Sequence, residues 1–174
     1  MRIRVILIIL CCLLCVFAGA TPQKSKPDPK AAATAKAEKK EIQDYRLTAE
    51  KLDRYESSVI AYNKLLAANP DMKKEMHTAD SSNGNSVTGN VEKLDKHPEI
   101  VALLKNAGFT TREWVVMTYC LMNTAMEVGM KNSGTEKTYS SSIAPENAAL
   151  VEKNYERVSK ILDSLGGDED DDTQ

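Results

Sequence analysis

The chain has 174 residues, with 23 lysine and arginine side chains, 25 aspartate and glutamate side chains, and a formal net charge of −2 at pH 7. This balance lacks the basic excess that nucleic-acid-binding domains use, so no nucleic-acid partner is expected. Three of the four cysteines lie within the first 15 residues, and Cys120 is the only one after them. A single thiol excludes an internal disulfide framework in the rest of the chain.

Residues 1–20, MRIRVILIILCCLLCVFAGA, have the pattern of a secretory signal peptide. Arg2 and Arg4 give a positive start, an apolar run follows from Val5 to Phe17, and small residues precede Thr21. The apolar run is shorter than the roughly 20 residues that a membrane-spanning helix needs. The pattern therefore predicts export to the periplasm or the extracellular space, with no transmembrane segment after cleavage. An uncleaved N-terminal anchor is the alternative.

Residues 21–42 are predicted to be a disordered linker, because this stretch is rich in lysine, alanine and proline and has almost no large apolar side chain to bury. Residues 167–174 contain the run DEDDD and are predicted to be a disordered acidic tail. Either charged end could attract a partner of opposite sign, or both could be solvated spacers. Residues 43–166 between them are long enough for one hydrophobic core and are predicted to form a helical domain.

The first long helix is predicted to start at Thr48, a good N-cap residue, with Leu47 and Leu52 packing together across the start of the helix. Apolar residues then recur at spacings of three and four, which gives one buried stripe. The stripe consists of Leu52, Tyr55, Val59, Tyr62 and Leu66. Pro70 ends this helix and can open a short continuation.

Residues 77–90, HTADSSNGNSVTGN, read as a polar loop, and their acidic positions do not fit a calcium-binding EF-hand loop. Apolar spacing predicts a short helix between Val87 and Leu94. A second short helix is predicted to open at Pro98 and to end at Gly108, where a left-handed C-cap glycine is expected.

Residues 109–130, FTTREWVVMTYCLMNTAMEVGM, are predicted to form the central helix of a bundle. Thr110 and Glu113 make a capping box, and the segment from Trp114 to Met122 is apolar on nearly every side. Four charged or polar residues within the stretch argue against a membrane span; they are Arg112, Glu113, Asn123 and Glu127. Cys120 is predicted to be a buried, unreactive thiol. The second half is expected to expose a polar stripe made of Thr124, Glu127 and Lys131.

Four methionines lie along this helix: Met117, Met122, Met126 and Met130. Methionine fills irregular gaps in cores and also lines adaptable ligand surfaces. Core packing is the simpler interpretation, and an apolar ligand site is the alternative.

The last helix is predicted to run from Pro145, at its first position, to a cap at Gly166. Its apolar stripe consists of Val151, Tyr155, Val158, Leu162 and Leu165. Asn147 and Asn154 lie on the same stripe, and buried amides need hydrogen-bond partners. They could form a polar pocket with Tyr155, Tyr62 or Thr118, or they could bond to neighbouring loops and helix ends and fix the register.

Three segments carry a resemblance to a group of uncharacterised exported bacterial proteins that are all-helical and of similar length. These segments are LTAEKLDRY (47–55), HPEIVALLKNAGFTTREWVV (97–116) and PENAALVEKN (145–154). The resemblance covers the predicted domain and implies export and a helical fold. It implies no activity and assigns no functional residue.

The predicted fold class is all-α: a single helical bundle of about four main helices plus short helices, with a disordered N-terminal arm and an acidic tail. The two histidines, His77 and His97, belong to no zinc-binding or hydrolase motif, so no catalytic residue, metal ligand or cofactor is assigned. A nucleophile pair of Cys120 and His97 is conceivable.

Three functions are compatible with these sequence features. The first is a non-enzymatic periplasmic or secreted module that binds a partner protein or serves the cell envelope. The second is a carrier of a small apolar molecule in the bundle core, and the third is a hydrolase with an unrecognised site. The candidate ligand-binding residues are Asn147, Asn154, Tyr155, Trp114 and Met126.

Overall fold

The structure is a computed structural model, and it describes residues 29–78, 86–136 and 138–166. The predicted signal peptide, residues 21–28 of the predicted linker and the predicted acidic tail lie outside the described residues. The chain divides into two compact units, Met1–Ala32 and Ala33–Gln174. Of the first unit, the structure describes only residues 29–32, which are the first residues of a helix that continues into the second unit. The hydrophobic core and the clefts described below belong to the second.

All regular secondary structure within the described ranges is helical, which confirms the all-α class. The helices are α1 (Pro29–Asp44), α2 (Ala49–Ala68), α3 (Pro70–His77), α4 (Val87–Asp95), α5 (Pro98–Asn106), α6 (Thr111–Asn132), α7 (Pro145–Lys153) and α8 (Tyr155–Asp163). None of the helices in the described ranges has the length and apolar character needed to cross a bilayer.

Local capping signals set the helix starts that the sequence predicts. The Thr48 hydroxyl accepts a hydrogen bond from the backbone N–H of Lys51 at 3.2 Å, and the Thr110 hydroxyl accepts one from the N–H of Glu113 at 3.0 Å. Each bond satisfies a backbone donor that the first helical turn leaves without a partner. Gly108 has φ +81°, as predicted for the glycine that ends α5.

Helix α6 lies at the centre of the core and packs against α4, α5, α7 and α8, while α2 packs against α3 and α5. Its first half is enclosed as predicted, with Trp114, Met117 and Leu121 at most 5% exposed. Burying each such side chain contributes about 1.5–3 kcal/mol to folding. Met122 is the exception within the predicted segment, because 48% of it is exposed.

The structure differs from the prediction of a disordered linker over residues 21–42, because residues 29–42 lie in α1. Two side chains attach this helix to the domain. Glu38 is 5% exposed and its carboxylate bonds to the start of α4, and Ile42 packs against the core. The helical region of the chain therefore starts before residue 43. Its first helix is held by contacts that cannot be predicted from a local apolar stripe.

The predicted last helix is divided at Asn154, which has φ −118° and ψ 23° and separates α7 from α8. The Asn154 amide donates to the carbonyl oxygen of Leu150 at 2.8 Å. This local side-chain bond competes with helical backbone pairing, which is why asparagine is unfavourable within helices. Helix α8 ends at Asp163 with Ser164 as its C-cap residue, so the predicted cap at Gly166 is wrong.

The predicted polar surface stripe on α6 is also wrong at Thr124, which is fully buried. Its hydroxyl donates to the carbonyl oxygen of Cys120, one turn earlier, at 2.7 Å. Because this bond satisfies the hydroxyl inside its own helix, Thr124 can be buried without an unpaired polar atom. Met122, Asn123 and Met126 are exposed instead.

Candidate functional site

Helix α6 leaves an apolar surface exposed in its second half. Met122 is 48% exposed and Met126 is 61% exposed, and the half-buried Tyr119 adjoins them. These three side chains are called the Met face below. Residues three and four apart lie on the same side of a helix, so the Met face forms one strip about two turns long. The other large apolar side chain exposed among the described residues, Ile60, belongs to α2.

The first of two clefts beside the Met face has a volume of about 460 Å³ and is called the Glu38 cleft. It lies between α1, the start of α4, α6 and the segment that leads into α7. Its lining includes Glu38, Ile42, Tyr119, Met126 and Asn147.

The second cleft has a volume of about 390 Å³ and is called the Tyr62 cleft. It is formed by side chains of α2, the end of α3, α4, α6 and the C-terminal end of α8. Its lining includes Tyr62, Lys93, Trp114, Tyr119 and Met122. Since Tyr119 lines both clefts, and Met126 and Met122 line one each, the Met face lies between them.

The carboxylate of Glu38 lines the first cleft, but it already accepts hydrogen bonds from within the protein. It accepts hydrogen bonds from the backbone N–H groups of Val87 at 3.2 Å and Thr88 at 2.8 Å, and also from the Thr88 hydroxyl. Burial raises the pKa of Glu38, but these bonds and the nearby charge of Arg112 outweigh it, so the pKa lies below its ordinary value. Glu38 therefore acts as a charged cap on α4 and not as a proton donor.

Asn147 is 2% exposed, and all of its described contacts are internal. Its amide oxygen accepts from the backbone N–H of Leu47 at 2.9 Å. Its amide nitrogen donates to the carbonyl oxygen of Tyr45 at 2.8 Å and to the sulfur of Cys120 at 3.3 Å. These bonds join α7 to the segment between α1 and α2 and to α6, as expected if the amide fixes the register.

The other predicted site residues fall in different places. Met126 joins Asn147 in the Glu38 cleft, and Trp114 lines the Tyr62 cleft. Asn154 and Tyr155 line neither cleft; Tyr155 lies against Gly129, where an added Cβ atom would be 2.6 Å from its hydroxyl oxygen. Of the two alternatives for these amides, a polar pocket with Tyr155, Tyr62 or Thr118 or bonds that fix the register, the described bonds of Asn147 and Asn154 correspond to the second. The two asparagines do not share either cleft.

Trp114 is held in the wall of the Tyr62 cleft by its neighbours on α2. The indole N–H donates to the Ser58 hydroxyl at 2.9 Å, and the ring packs against Tyr55 and Tyr62 at centroid distances of 5.6 and 5.5 Å. The sequence places Tyr62 on a core stripe. The sequence pattern offers Tyr62 only as one possible partner in a polar pocket with Asn147 and Asn154. It does not show that the Tyr62 side chain lines a different cleft, which neither asparagine borders.

The conceivable Cys120–His97 pair is not supported by the geometry. The described polar contacts of the Cys120 side chain are with Asn147 and Thr124. His97 instead lies at the start of α5, where its Nε2 atom is 3.4 Å from a carboxylate oxygen of Glu75 in α3. Burial raises the pKa of the Cys120 thiol to about 11, so the thiol is protonated at neutral pH. His77 is the last residue of α3, and its side chain is not among the groups that the structure describes.

The arrangement as a whole is suited to non-covalent binding, since two clefts and the strip between them offer apolar and aromatic surface with a few polar groups. In the part of the chain that the structure describes, no three histidine, cysteine, aspartate or glutamate side chains are grouped so as to hold a metal ion. Comparison of the chain with models of protein families, with curated protein sequences and with solved structures found no match.

Proposed function

We propose that the chain is a non-enzymatic helical binding module, exported by its signal peptide, that recognises a partner protein through the Met face. The observation that carries this proposal is the exposure of Met122 and Met126 between two clefts, on the same helix that forms the centre of the core. Single apolar side chains scattered on a surface need no explanation. Two methionines one turn apart, each bordering a cleft, form a surface that a partner can cover.

The shape of this surface favours an amphipathic helix of the partner as its occupant. The strip formed by the Met face is elongated, and the flanking clefts of about 460 and 390 Å³ can each receive apolar side chains from one helix face. Methionine side chains are flexible and polarisable, so they adapt to the shape of such a helix. The partner is expected to place aliphatic or aromatic side chains on both sides of Tyr119.

The engagement of the polar groups supports a binding role over a catalytic one. Glu38 is held in its charged form by the start of α4, Asn147 uses its amide in internal bonds, and the buried Cys120 is protonated at neutral pH. A general acid or base with a pKa near neutrality would be needed for hydrolysis. These groups instead have structural partners.

Site-specific photocrosslinking tests the proposal in the cells that export the protein. The photoreactive residue p-benzoyl-phenylalanine replaces Met126 in one variant and Ile60, an exposed apolar residue on α2, in the control. We expect one discrete crosslinked protein from position 126 and none from position 60, and Met122→Glu in the same chain should abolish the product. Equal products from both positions would refute the proposal, and so would a product made of two copies of this chain.

Export is a separate part of the proposal, supported by the resemblance to exported helical proteins and by the pattern of residues 1–20. The intact mass of the protein recovered outside the cytoplasm is expected to correspond to a chain that begins at Thr21. A mass that still includes residues 1–20 would contradict cleavage and favour the anchor alternative.

A small-molecule carrier is the second candidate function. One observation favours it: an aromatic cleft lined by Tyr62 and Trp114 opens beside the core.

A further inference from the structure

We propose that the Tyr62 cleft binds a small amphipathic carboxylate, with its apolar body against the aromatic wall and its carboxylate near the Tyr62 hydroxyl and the Lys93 ammonium. The inference does not depend on the Met face binding a partner protein. It develops the carrier alternative and gives the ligand a chemical class.

The first support is an unpaired hydroxyl at the cleft. Tyr62 is 8% exposed, and its hydroxyl makes no hydrogen bond with any residue that the structure describes. The hydroxyl oxygen is not fully buried, so it keeps some contact with solvent. The ring packs against Trp114 and the side chain lines the cleft, so we infer that the hydroxyl faces the cleft. A polar group in this setting gains a hydrogen bond when a ligand supplies the partner.

The second support is the charge of the cleft. Among the described lining residues, Lys93 is the only charged side chain, and there is no carboxylate. The Lys93 ammonium donates to the carbonyl oxygens of Met76 at 2.7 Å and Thr78 at 3.0 Å. An ammonium has three donors, so one remains for an anionic ligand. Burial raises the pKa of Tyr62 to about 12, so the phenol stays protonated and can also donate to an anion.

The third support is the apolar part of the wall; the polar lining residues Asn90, Thr118 and Tyr119 already have hydrogen-bond partners within the protein. The cleft is lined by apolar side chains from three parts of the domain: Trp114 and Val115 from α6, Leu94 from α4, and Leu162 and Leu165 near the C-terminal end of α8. A volume of about 390 Å³ lies within the range of small-molecule sites. These features together fit an aliphatic body with one anionic head, such as a medium-chain fatty acid, better than a sugar or a nucleotide, which would need many polar partners.

Titration with three ten-carbon probes of different head groups tests the inference on the intact protein. The probes are decanoate, decanol and decylammonium, each used below its aggregation concentration. Trp114 is the only tryptophan of the chain and lines the cleft, so its emission reports occupancy directly, and calorimetry measures Kd independently. We expect saturable binding of decanoate, at least tenfold weaker binding of decanol, and no saturable binding of decylammonium.

The variant Tyr62→Phe removes one oxygen atom and keeps the aromatic wall, so its fold should be unchanged. It is expected to raise the Kd of decanoate about tenfold, as the loss of a hydrogen bond to a charged group implies. Tyr155→Phe is the matched control, because it removes a phenol oxygen from a side chain outside the cleft, and it should leave Kd unchanged. Lys93→Gln should remove the preference for decanoate over decanol.

Three results would overturn the inference: no saturable decanoate signal by either method, equal affinity for decanoate and decanol, or an unchanged Kd in Tyr62→Phe. Tyr62→Phe keeps the apolar wall that the partner helix would contact in this cleft, so crosslinking at Met126 should be unchanged in this variant. Failure of ligand binding and failure of partner binding can therefore be told apart.

Discussion

Replacing Asn147 by leucine tests whether this amide holds the register of the fold. Leucine has a similar shape but offers neither donor nor acceptor. The substitution leaves the buried backbone N–H of Leu47 and the half-buried carbonyl of Tyr45 without their side-chain partner. An unsatisfied buried polar group costs about 1–3 kcal/mol.

The loss is taken as about 2 kcal/mol for the buried Leu47 N–H and about 1 kcal/mol for the half-buried Tyr45 carbonyl. Asn147→Leu should therefore lower the free energy of unfolding by about 3 kcal/mol. For a domain of this size, 1 kcal/mol corresponds to roughly 4 °C, so Tm should fall by about 12 °C. Asn154→Leu is the control. Among the described residues, its half-exposed amide bonds only to the carbonyl oxygen of Leu150 in the adjacent helix α7, and we expect a loss of about 1 kcal/mol or less.

Urea unfolding followed by the emission of Trp114 measures both variants, because this single tryptophan is 5% exposed in the folded protein. The slope of free energy against urea concentration should stay the same, so that the midpoints can be compared. If Asn147→Leu were as stable as Asn154→Leu, the contacts of Asn147 would not be fixing the register, and the reasoning from buried polar groups would be refuted.

Three further predictions concern other contacts. Ser58→Ala should lower the free energy of unfolding by about 2 kcal/mol, measured by circular dichroism in urea, because the buried Trp114 N–H loses its acceptor; an unchanged midpoint would contradict this. Glu38→Gln should lower the free energy of unfolding by about 1 kcal/mol at pH 7 and by less in acid. The reason is that the pKa of Glu38 is lowered in the folded state, so its contribution to stability is lost as pH falls from about 4.5 through the folded-state pKa. Parallel curves of stability against pH for variant and parent would contradict this. Gly129→Ala should destabilise the parent protein, because the new Cβ atom would lie 2.6 Å from the Tyr155 hydroxyl oxygen. In the Tyr155→Phe background the same substitution should stabilise the protein by up to about 1 kcal/mol, measured by thermal melts. A stability change of the same sign in both backgrounds would refute the close contact.

Helix boundaries set by local chemistry were predictable from the sequence. Thr48 and Thr110 act as N-caps, Pro98 and Pro145 occupy first helical positions, and Gly108 takes up a positive φ. Each of these features depends on the conformational limits of one residue and its nearest neighbours along the chain. Such limits can be read without knowing the tertiary structure.

Helix α1 and the break at Asn154 depend on contacts that sequence spacing does not encode. The helix is held through Glu38, whose partners lie about fifty residues further along the chain. A lysine- and alanine-rich segment with one buried carboxylate looks like a solvated linker when it is read alone. At Asn154 the apolar stripe continues across the break, so the periodicity predicts one helix where the structure has two.

The candidate site was only partly predictable for a related reason. The sequence singles out Trp114 and Asn147 as large or polar groups on apolar stripes, and both are buried. It does not show which side of α6 the neighbouring helices cover, so Thr124 was expected at the surface and Met122 in the interior. Likewise, the stripe that places Tyr62 in the core does not reveal that its hydroxyl lacks a partner.

The attachment of α1 through Glu38 has a practical consequence for anyone who shortens this protein. A fragment that begins at residue 43, where the composition changes, would discard the carboxylate that caps α4 and would leave the N–H groups of Val87 and Thr88 facing an empty groove. Such a fragment is expected to fray at the start of α4 and to be cut there by a protease of broad specificity. Recombinant versions that begin at or before Pro29 keep this brace in place.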